Sequence, residues 1–311
     1  MNSTNVENTF ADSMMHIRTT LLVVLVILGI AFSFAWRRAA TAQGVDSTSR
    51  SKQLPSPVQM AIGFVTNFFD TLGIGSFATT TTAYKLLHTV SDEHIVGTMV
   101  IGHALPIVVQ AFIFLIVVQV DPLVLVSLIA VSVFGAWVGA GVASKLPRRP
   151  IQIGMGIGLL AAACFMLMSQ LGMFPGGGTA LTLTSEKLII ALVANFMLGV
   201  LLMLGIGNYA PSLILFSVLG MDPRAAFPIM MSSGAMMGMV GGLQFMKAAR
   251  FDRRAALGLT LGGIPAVLVA GLLVRSLPLS VLRWMIVLVV VYAATMMLRS
   301  ALSERRAASL E

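Results

Sequence analysis

Charged residues and cysteines are scarce in this sequence. Only 10% of the 311 residues are Asp, Glu, Lys or Arg, while 57% are hydrophobic and the mean hydropathy is +0.94. This composition excludes an ordinary soluble domain and indicates an integral membrane protein with several apolar runs near the ~20-residue spanning length. The one cysteine, Cys164, lies in an apolar run, so the sequence predicts neither an intramolecular disulfide nor a cysteine-based metal site.

A nucleotide-binding motif is also missing. Gly154, Gly156 and Gly158 are not followed by the Gly-Lys-Ser/Thr of a P-loop, so the sequence predicts no ATP site and no cofactor. The net charge of +8 would suggest a nucleic-acid partner in a soluble protein. In membrane proteins, however, basic residues collect in cytoplasmic loops, and we therefore predict no nucleic-acid partner.

One short tract occurs twice. Leu72–Ala78 reads LGIGSFA and Leu204–Ala210 reads LGIGNYA, at an offset of 132 residues that also pairs Gly102 with Gly234. In each half an apolar stretch is broken by Gly-Ile-Gly and then resumes. Glycine breaks at matching positions of two hydrophobic halves point to the substrate site of a transporter.

The predicted fold is an all-α integral membrane protein made of two inverted repeats, each a glycine-broken helical hairpin followed by three transmembrane helices. One extra N-terminal helix with a cytoplasmic linker (1–54) precedes repeat 1 (55–174) and repeat 2 (187–300), and residues 301–311 form a cytoplasmic tail. The predicted apolar segments are 21–36, 58–72, 76–87, 95–120, 123–144, 151–173, 188–204, 208–219, 225–246, 255–274 and 281–298.

Basic residues set the expected orientation. Fifteen of the 20 Lys and Arg lie in 37–54, 145–149, 247–254, the tail from 299 and at Lys85, and the side that carries them is predicted to be cytoplasmic. The N-terminus is then outside, the C-terminus is cytoplasmic, and each hairpin returns to the face it enters from. Arms of about 15 residues cover roughly 22 Å, which favours tips that stop within the membrane, although complete spans stay open.

The hinges carry the predicted chemistry. The first amides of each restarted helix have no intrahelical acceptor, and the helix dipole favours an anion there. Two such ends would hold one negative charge without a buried cation, and we expect Ser76 and Asn208 to be the N-caps. The alternative is that the glycines only allow close helix packing. The candidate substrate-binding residues are Gly73, Gly75, Ser76, Phe77, Thr79, Thr80, Gly205, Gly207, Asn208, Tyr209 and Ser212.

Two intramembrane ionisable residues are candidates for ion coupling. Asp70 is the one carboxylate inside an apolar run and matches Leu202, whereas His103 matches Ala235. Such groups are functional candidates by default. The alternatives are a carboxylate held by nearby hydroxyls or amides, such as Thr71, and a histidine that merely bonds a neighbour. No metal ligand and no catalytic residue is assigned.

The hinge motifs resemble the TauE/SafE sulfite-exporter-like permeases, the toluenesulfonate-uptake group. The resemblance is carried by 69–76 in the first half and by 199, 205–207, 211, 219–222 and 225–228 in the second, and it extends over roughly 55–300 without the N-terminal helix. The first hinge departs from the family pattern in having Gly-Ile-Gly-Ser where a longer glycine run is common. The resemblance implies movement of sulfur-containing anions such as sulfite, sulfoacetate and sulfonates.

The favoured function is therefore a secondary transporter, expected to be an exporter of a small sulfur-containing or organic anion in the cell inner membrane. Coupling to protons or sodium and assembly as a homodimer stay open. A passive anion channel of the same fold is one alternative. The other is an intramembrane serine hydrolase with Ser76 as nucleophile and His103 as base, although the second hinge repeats without a serine.

Overall fold

The computed structural model describes residues 3–42, 54–72, 75–146, 168, 173 and 178–276. Regular structure in this part is helical, which confirms the all-α prediction. The predicted segments 151–173 and 281–298 lie, apart from residues 168 and 173, outside the described residues. The helices are α1 (Ser3–Ala42), α2 (Pro57–Thr71), α3 (Ser76–Leu87), α4 (Asp92–Val117), α5 (Pro122–Ala143), α6 (Ser185–Met203), α7 (Tyr209–Val218), α8 (Pro223–Lys247) and α9 (Arg253–Ser276).

Local capping signals place several helix starts. Ser56 accepts a hydrogen bond from the Gln59 backbone N–H before α2, and the Gln59 side chain accepts one from the Ser56 backbone N–H in return. Asp121 and Asp222 accept bonds from first-turn amides of α5 and α8. A proline follows each of these three caps, where its fixed φ suits the first helical turn.

Helix length divides the described helices into six of spanning length and three shorter ones. Within the described ranges, α1, α4, α5, α6, α8 and α9 are long and apolar enough to cross a membrane, which confirms a multi-pass membrane protein. α2, α3 and α7 have 15, 12 and 10 residues. At 1.5 Å per residue they cover roughly 22, 18 and 15 Å, less than the ~30 Å hydrocarbon core. Three of the four hairpin arms are thus too short to span, whereas α6 reaches spanning length.

The first hairpin, α2 and α3, begins and ends at one end of the bundle. Arg254 Nε donates to the carbonyl of Leu54, just before α2, at 3.0 Å. Arg250 pairs with Glu93, just after α3, at 3.6 Å. These residues belong to the loops that the sequence predicts to be cytoplasmic.

The second hairpin, α6 and α7, begins and ends at a separate group of loops. Lys187 Nζ at the start of α6 donates to the carbonyl of Leu219 at the end of α7 (2.8 Å). The loop before α6 contacts the loop before α5, where the Asp121 N–H donates to the Leu181 carbonyl at 3.0 Å. Because α5 begins where α4 ends, and α4 begins beside the first hairpin, the two hairpins enter from opposite ends.

The two halves pack reciprocally. α4 and α8 run antiparallel, with Gly234 beside Ile107 and Gly238 beside Ala104. α2 packs against α9, and α6 packs against α5, so the first arm of each hairpin contacts a helix of the other half. A twofold relation between the halves would produce this pattern. The contacts therefore support the inverted repeat, which stays a prediction.

α1 is longer than the predicted segment 21–36 and lies against α4 and α8. Gly242 of α8 packs directly on the ring of Phe32, whereas Val26, Ile27 and Phe34 on α1 are exposed. In a membrane protein these apolar side chains face lipid, so α1 is a peripheral helix beside the bundle that holds the hinges.

Candidate functional site

The two glycine breaks lie in direct contact. A Cβ at Gly75 would lie 3.3 Å from Tyr209 Cβ, and a Cβ at Gly207 would lie 3.5 Å from Phe77 Cβ. The 132-residue offset exchanges these two contacts, because it pairs Gly75 with Gly207 and Phe77 with Tyr209. The tips of the two hairpins therefore meet inside the bundle. Gly73 lies outside the described residues.

Backbone conformation explains the breaks. Gly75 and Gly205 have φ of 87° and 89°, in the left-handed region that favours glycine. The expectation that Ser76 is an N-cap is wrong: Gly75 occupies that position, and Ser76 is already the first residue of α3. Asn208 is the N-cap of α7, as expected, but its side chain makes no capping hydrogen bond.

A buried carboxylate faces the start of α3. Asp70 is 3% exposed, and Gln110 Nε2 donates to its Oδ2 at 2.9 Å and to Thr71 Oγ1 at 3.1 Å. The hydroxyl and the backbone N–H of Ser76 face the same carboxylate. These contacts match the alternative in which neighbouring hydroxyls and amides hold the carboxylate. They also place its negative charge at the N-terminus of α3, where the helix dipole favours an anion.

His103 belongs to a second buried network. Asn67 Nδ2 donates to the Gly63 carbonyl at 2.7 Å, which leaves Asn67 Oδ1 as the acceptor 3.0 Å from His103 Nδ1. Because an amide oxygen only accepts, Nδ1 donates, and in the neutral ring Nε2 accepts from the Thr80 hydroxyl at 3.0 Å. Both ring nitrogens are thus engaged, and Ser76 faces Asp70 instead. The Ser76–His103 pair of the hydrolase alternative is not formed.

The candidate hydroxyls of the first hinge are already partnered. Thr79 Oγ1 donates back to the Ser76 carbonyl at 2.9 Å, the Thr80 hydroxyl bonds His103, and the Ser76 hydroxyl faces the Asp70 carboxylate. Hydroxyls near the start of a helix commonly bond the preceding turn. The candidate hydroxyls of this hinge therefore have polar neighbours within the protein. Phe77 is the apolar ring among the candidates at this hinge, and its centroid lies 6.0 Å from that of the His103 imidazole.

The candidate hydroxyls of the second hinge are not partnered. Tyr209 is 7% exposed and Ser212 is 1% exposed, yet neither hydroxyl has a hydrogen-bond partner among the described residues. The Tyr209 ring lies edge-on to Phe227 of α8, with ring centroids 6.2 Å apart, and Phe227 stacks on Phe114 of α4 at 5.0 Å. The second hinge thus combines aromatic walls with unused hydrogen-bond donors.

Three further polar residues escaped the sequence reasoning. Ser232, Ser233 and Gln110 are 0%, 2% and 0% exposed, and the two hydroxyls and Gln110 Oε1 have no partner within the described part of the chain. A signal existed for the serines, because they are adjacent hydroxyls in an apolar helix at positions that match Val100 and Ile101 in the first half.

Comparison with known proteins identifies the family. Its model, described as "Sulfite exporter TauE/SafE", matches residues 9–166, just over half of the chain. Neither a curated protein nor a solved structure matches the chain. The matched range begins inside α1 and therefore includes the N-terminal helix. From the hinge motifs alone, the resemblance is expected to leave that helix outside. With its bundle of apolar helices, this chain belongs to the TauE/SafE sulfite exporter family of membrane permeases.

Proposed function

We propose that the protein is a secondary transporter that exports a small sulfur-containing or organic anion, such as sulfite or a sulfonate. The contact between the two hinge tips is the observation that carries this proposal. The pairs Gly75–Tyr209 and Gly207–Phe77 bring two helix starts together inside the bundle. Backbone amides at helix starts bind anions, and they do so without the fixed cation that is costly inside a membrane.

The reciprocal packing supports alternating access. The first hairpin rests on α9 of the second half, where Gly262 packs against the backbone of Met60, and the second hairpin rests on α5 of the first half. Rocking one half against the other therefore changes the separation of the two tips. The anion site at the tips opens first to one side and then to the other, as in other transporters with broken helices.

Coupling to protons is assigned to Asp70, with His103 as the second candidate. Asp70 lies at the tip of the first hairpin, so its negative charge opposes an anion at the neighbouring helix start. A proton on Asp70 removes that repulsion, so the protonation state of Asp70 controls how tightly the anion is held. His103 reaches the same hairpin through Thr80 of α3.

The orientation follows the distribution of basic residues. The loops around Leu54, Glu93 and Arg250 share one end of the bundle, and we assign that end to the cytoplasm of the inner membrane. The N-terminus is then outside and the C-terminus inside.

Transport assays with purified protein in proteoliposomes test the function. We expect counterflow and accumulation of labelled sulfite or sulfonate under an imposed pH gradient, with protein-free liposomes as the control. A channel equilibrates its solute and cannot concentrate it, so equilibration without accumulation would refute the transporter mechanism. A thermal-shift panel of sulfite, sulfoacetate, taurine, thiosulfate and carboxylates selects the substrate, because a ligand of the native state raises its melting temperature.

A further inference from the structure

We propose that the transported anion binds at the second hinge alone. Its ligands are the first amides of α7 and four buried hydroxyls, those of Tyr209, Ser212, Ser232 and Ser233. The ligand that fits is an oxyanion with several acceptor oxygens on one centre. This inference rests on the proposed function, and it deepens that function by dividing two similar hinges into one that binds the substrate and one that does not.

The first hinge is already occupied by an anionic side chain of the protein. Gln110 Nε2 donates to the Asp70 carboxylate at 2.9 Å, and that carboxylate faces the hydroxyl and the backbone N–H of Ser76 at the start of α3. The residue that matches Asp70 in the second half is Leu202, which is apolar. The start of α7 has no carboxylate at that position, and Asn208 makes no side-chain capping bond there. The Tyr209 and Ala210 amides have no intrahelical acceptor and remain available to an external anion. Pro211 has no N–H, and the Ser212 N–H donates to the Asn208 carbonyl.

The start of α7 and the contacting helix α8 carry unused donors. Hydroxyl oxygens of Tyr209, Ser212, Ser232 and Ser233 are buried with no hydrogen-bond partner in the described residues. Each residue is at most 7% exposed. Buried polar groups without partners are unfavourable and are uncommon in native proteins, where a ligand or an ordered water usually satisfies them. Several of them on two contacting helices indicate a site that is built to receive a polar ligand.

The fold places the hydroxyls of α7 on one face. Tyr209 and Ser212 are three residues apart, so they lie on the same side of the helix, and the Tyr209 ring contacts Phe227 of α8. The chain turns back between α7 and α8 over 219–222, and the two helices pack against each other.

The repeat brings the hydroxyls of α8 to the same level. Ser212 matches Thr80, and Ala235 matches His103, at the 132-residue offset. Thr80 and His103 lie 3.0 Å apart in the first half, so Ser212 is expected beside Ala235, within about one helical turn of Ser232. Thr80 bonds His103 in the first half, whereas the matching Ser212 has an alanine at the matching position and no hydrogen-bond partner among the described residues.

The donor set defines the ligand chemistry. Hydroxyl and amide groups donate to oxygen acceptors, and no cation is required to hold the single charge. Three or four such donors suit the oxygens of a sulfite or sulfonate group, while the rings of Tyr209 and Phe227 provide an apolar wall. A halide carries the same charge on a single atom, so its affinity relative to sulfite measures what the separate oxygens contribute.

Binding measurements on detergent-solubilised protein test the inference, with sodium sulfite and an alkanesulfonate as probes and chloride as the control anion. Ser212→Ala and Ser232→Ala are each expected to weaken sulfite binding about tenfold, because each removes a hydrogen bond to a charged ligand. Ser132→Ala is the matched control: Ser132 is equally buried, but its hydroxyl donates to the Ile129 carbonyl at 2.9 Å. Its affinity should equal that of the wild type.

The melting temperature without ligand distinguishes binding from a structural role. An unpartnered hydroxyl destabilises the empty protein, so Ser212→Ala and Ser232→Ala should keep or raise that temperature while they weaken binding. Wild-type affinity in both variants would overturn the inference and leave the transporter proposal standing. A wild-type protein that binds neither sulfite nor the sulfonate would overturn both.

Discussion

Replacing Gly75 by alanine is the most direct test of the hinge geometry. The residue has a φ of 87°, where a Cβ costs about 1–2 kcal/mol in an L-amino acid. The added methyl group would also lie 3.3 Å from Tyr209 Cβ, closer than an ordinary van der Waals contact. Strain and crowding add, so the native state should lose roughly 1–3 kcal/mol, within the range seen when well-packed sites are overfilled.

The matched control is Gly207→Ala. Its methyl group would lie 3.5 Å from Phe77 Cβ, an ordinary contact, and Gly207 does not have a positive φ. Thermal unfolding in detergent, followed by tryptophan fluorescence, measures both variants. We expect a fall in melting temperature of several degrees for Gly75→Ala, at roughly 2–4 °C per kcal/mol, and little change for Gly207→Ala. Equal shifts in the two variants would refute the left-handed hinge at Gly75.

Four further changes test other parts of the molecule. Asp70→Asn should abolish the pH dependence of transport in proteoliposomes, and an unchanged pH profile would exclude this carboxylate as the coupling group. Gln110→Leu should cost about 1.5–3 kcal/mol in unfolding free energy, because it removes a donor to a buried carboxylate, and less in the Asp70→Asn background. Gly262→Ala would press a methyl group into the backbone of α2 and should cost about 1–3 kcal/mol, read as a lower melting temperature. Glu93→Gln should change stability by no more than about 1 kcal/mol, because the Glu93 and Arg250 side chains are 42% and 31% exposed.

Local signals were sufficient to predict the helices and the breaks between them. The segment predicted at 76–87 is α3 over the same residues, and that predicted at 123–144 is α5 within one residue at each end. Both hinges interrupt helices at the Gly-Ile-Gly tracts. These features depend on residues close in the chain: apolar runs of spanning length, proline after a capping residue, and glycine where φ is positive.

The side-chain networks could not be predicted in the same way. Gln110 and Asp70 are 40 positions apart, and Asn67 and His103 are 36 apart, so their bonds depend on how α4 packs against the first hairpin. Periodicity indicates which residues are apolar, but it does not indicate which polar groups meet in the interior. The N-cap of α3 was misplaced by one residue for a related reason: Ser76 turns toward Asp70, a partner outside its own helix.

The two halves differ in the polar side chains near their hinges, and this difference bears on the proposed mechanism. Glycine occurs at both hinges, with the positive φ at Gly75 in one and at Gly205 in the other. The polar side chains near them are not repeated: Asp70 matches Leu202 and His103 matches Ala235 at the 132-residue offset. A small anion has one charge to place, and two equally attractive helix starts would compete for it. On the proposed mechanism, the Asp70 carboxylate occupies one helix start and directs the anion to the other, and its protonation state controls how strongly it repels the anion. The glycine hinges would then supply the movement, and the unequal side chains would determine what is bound.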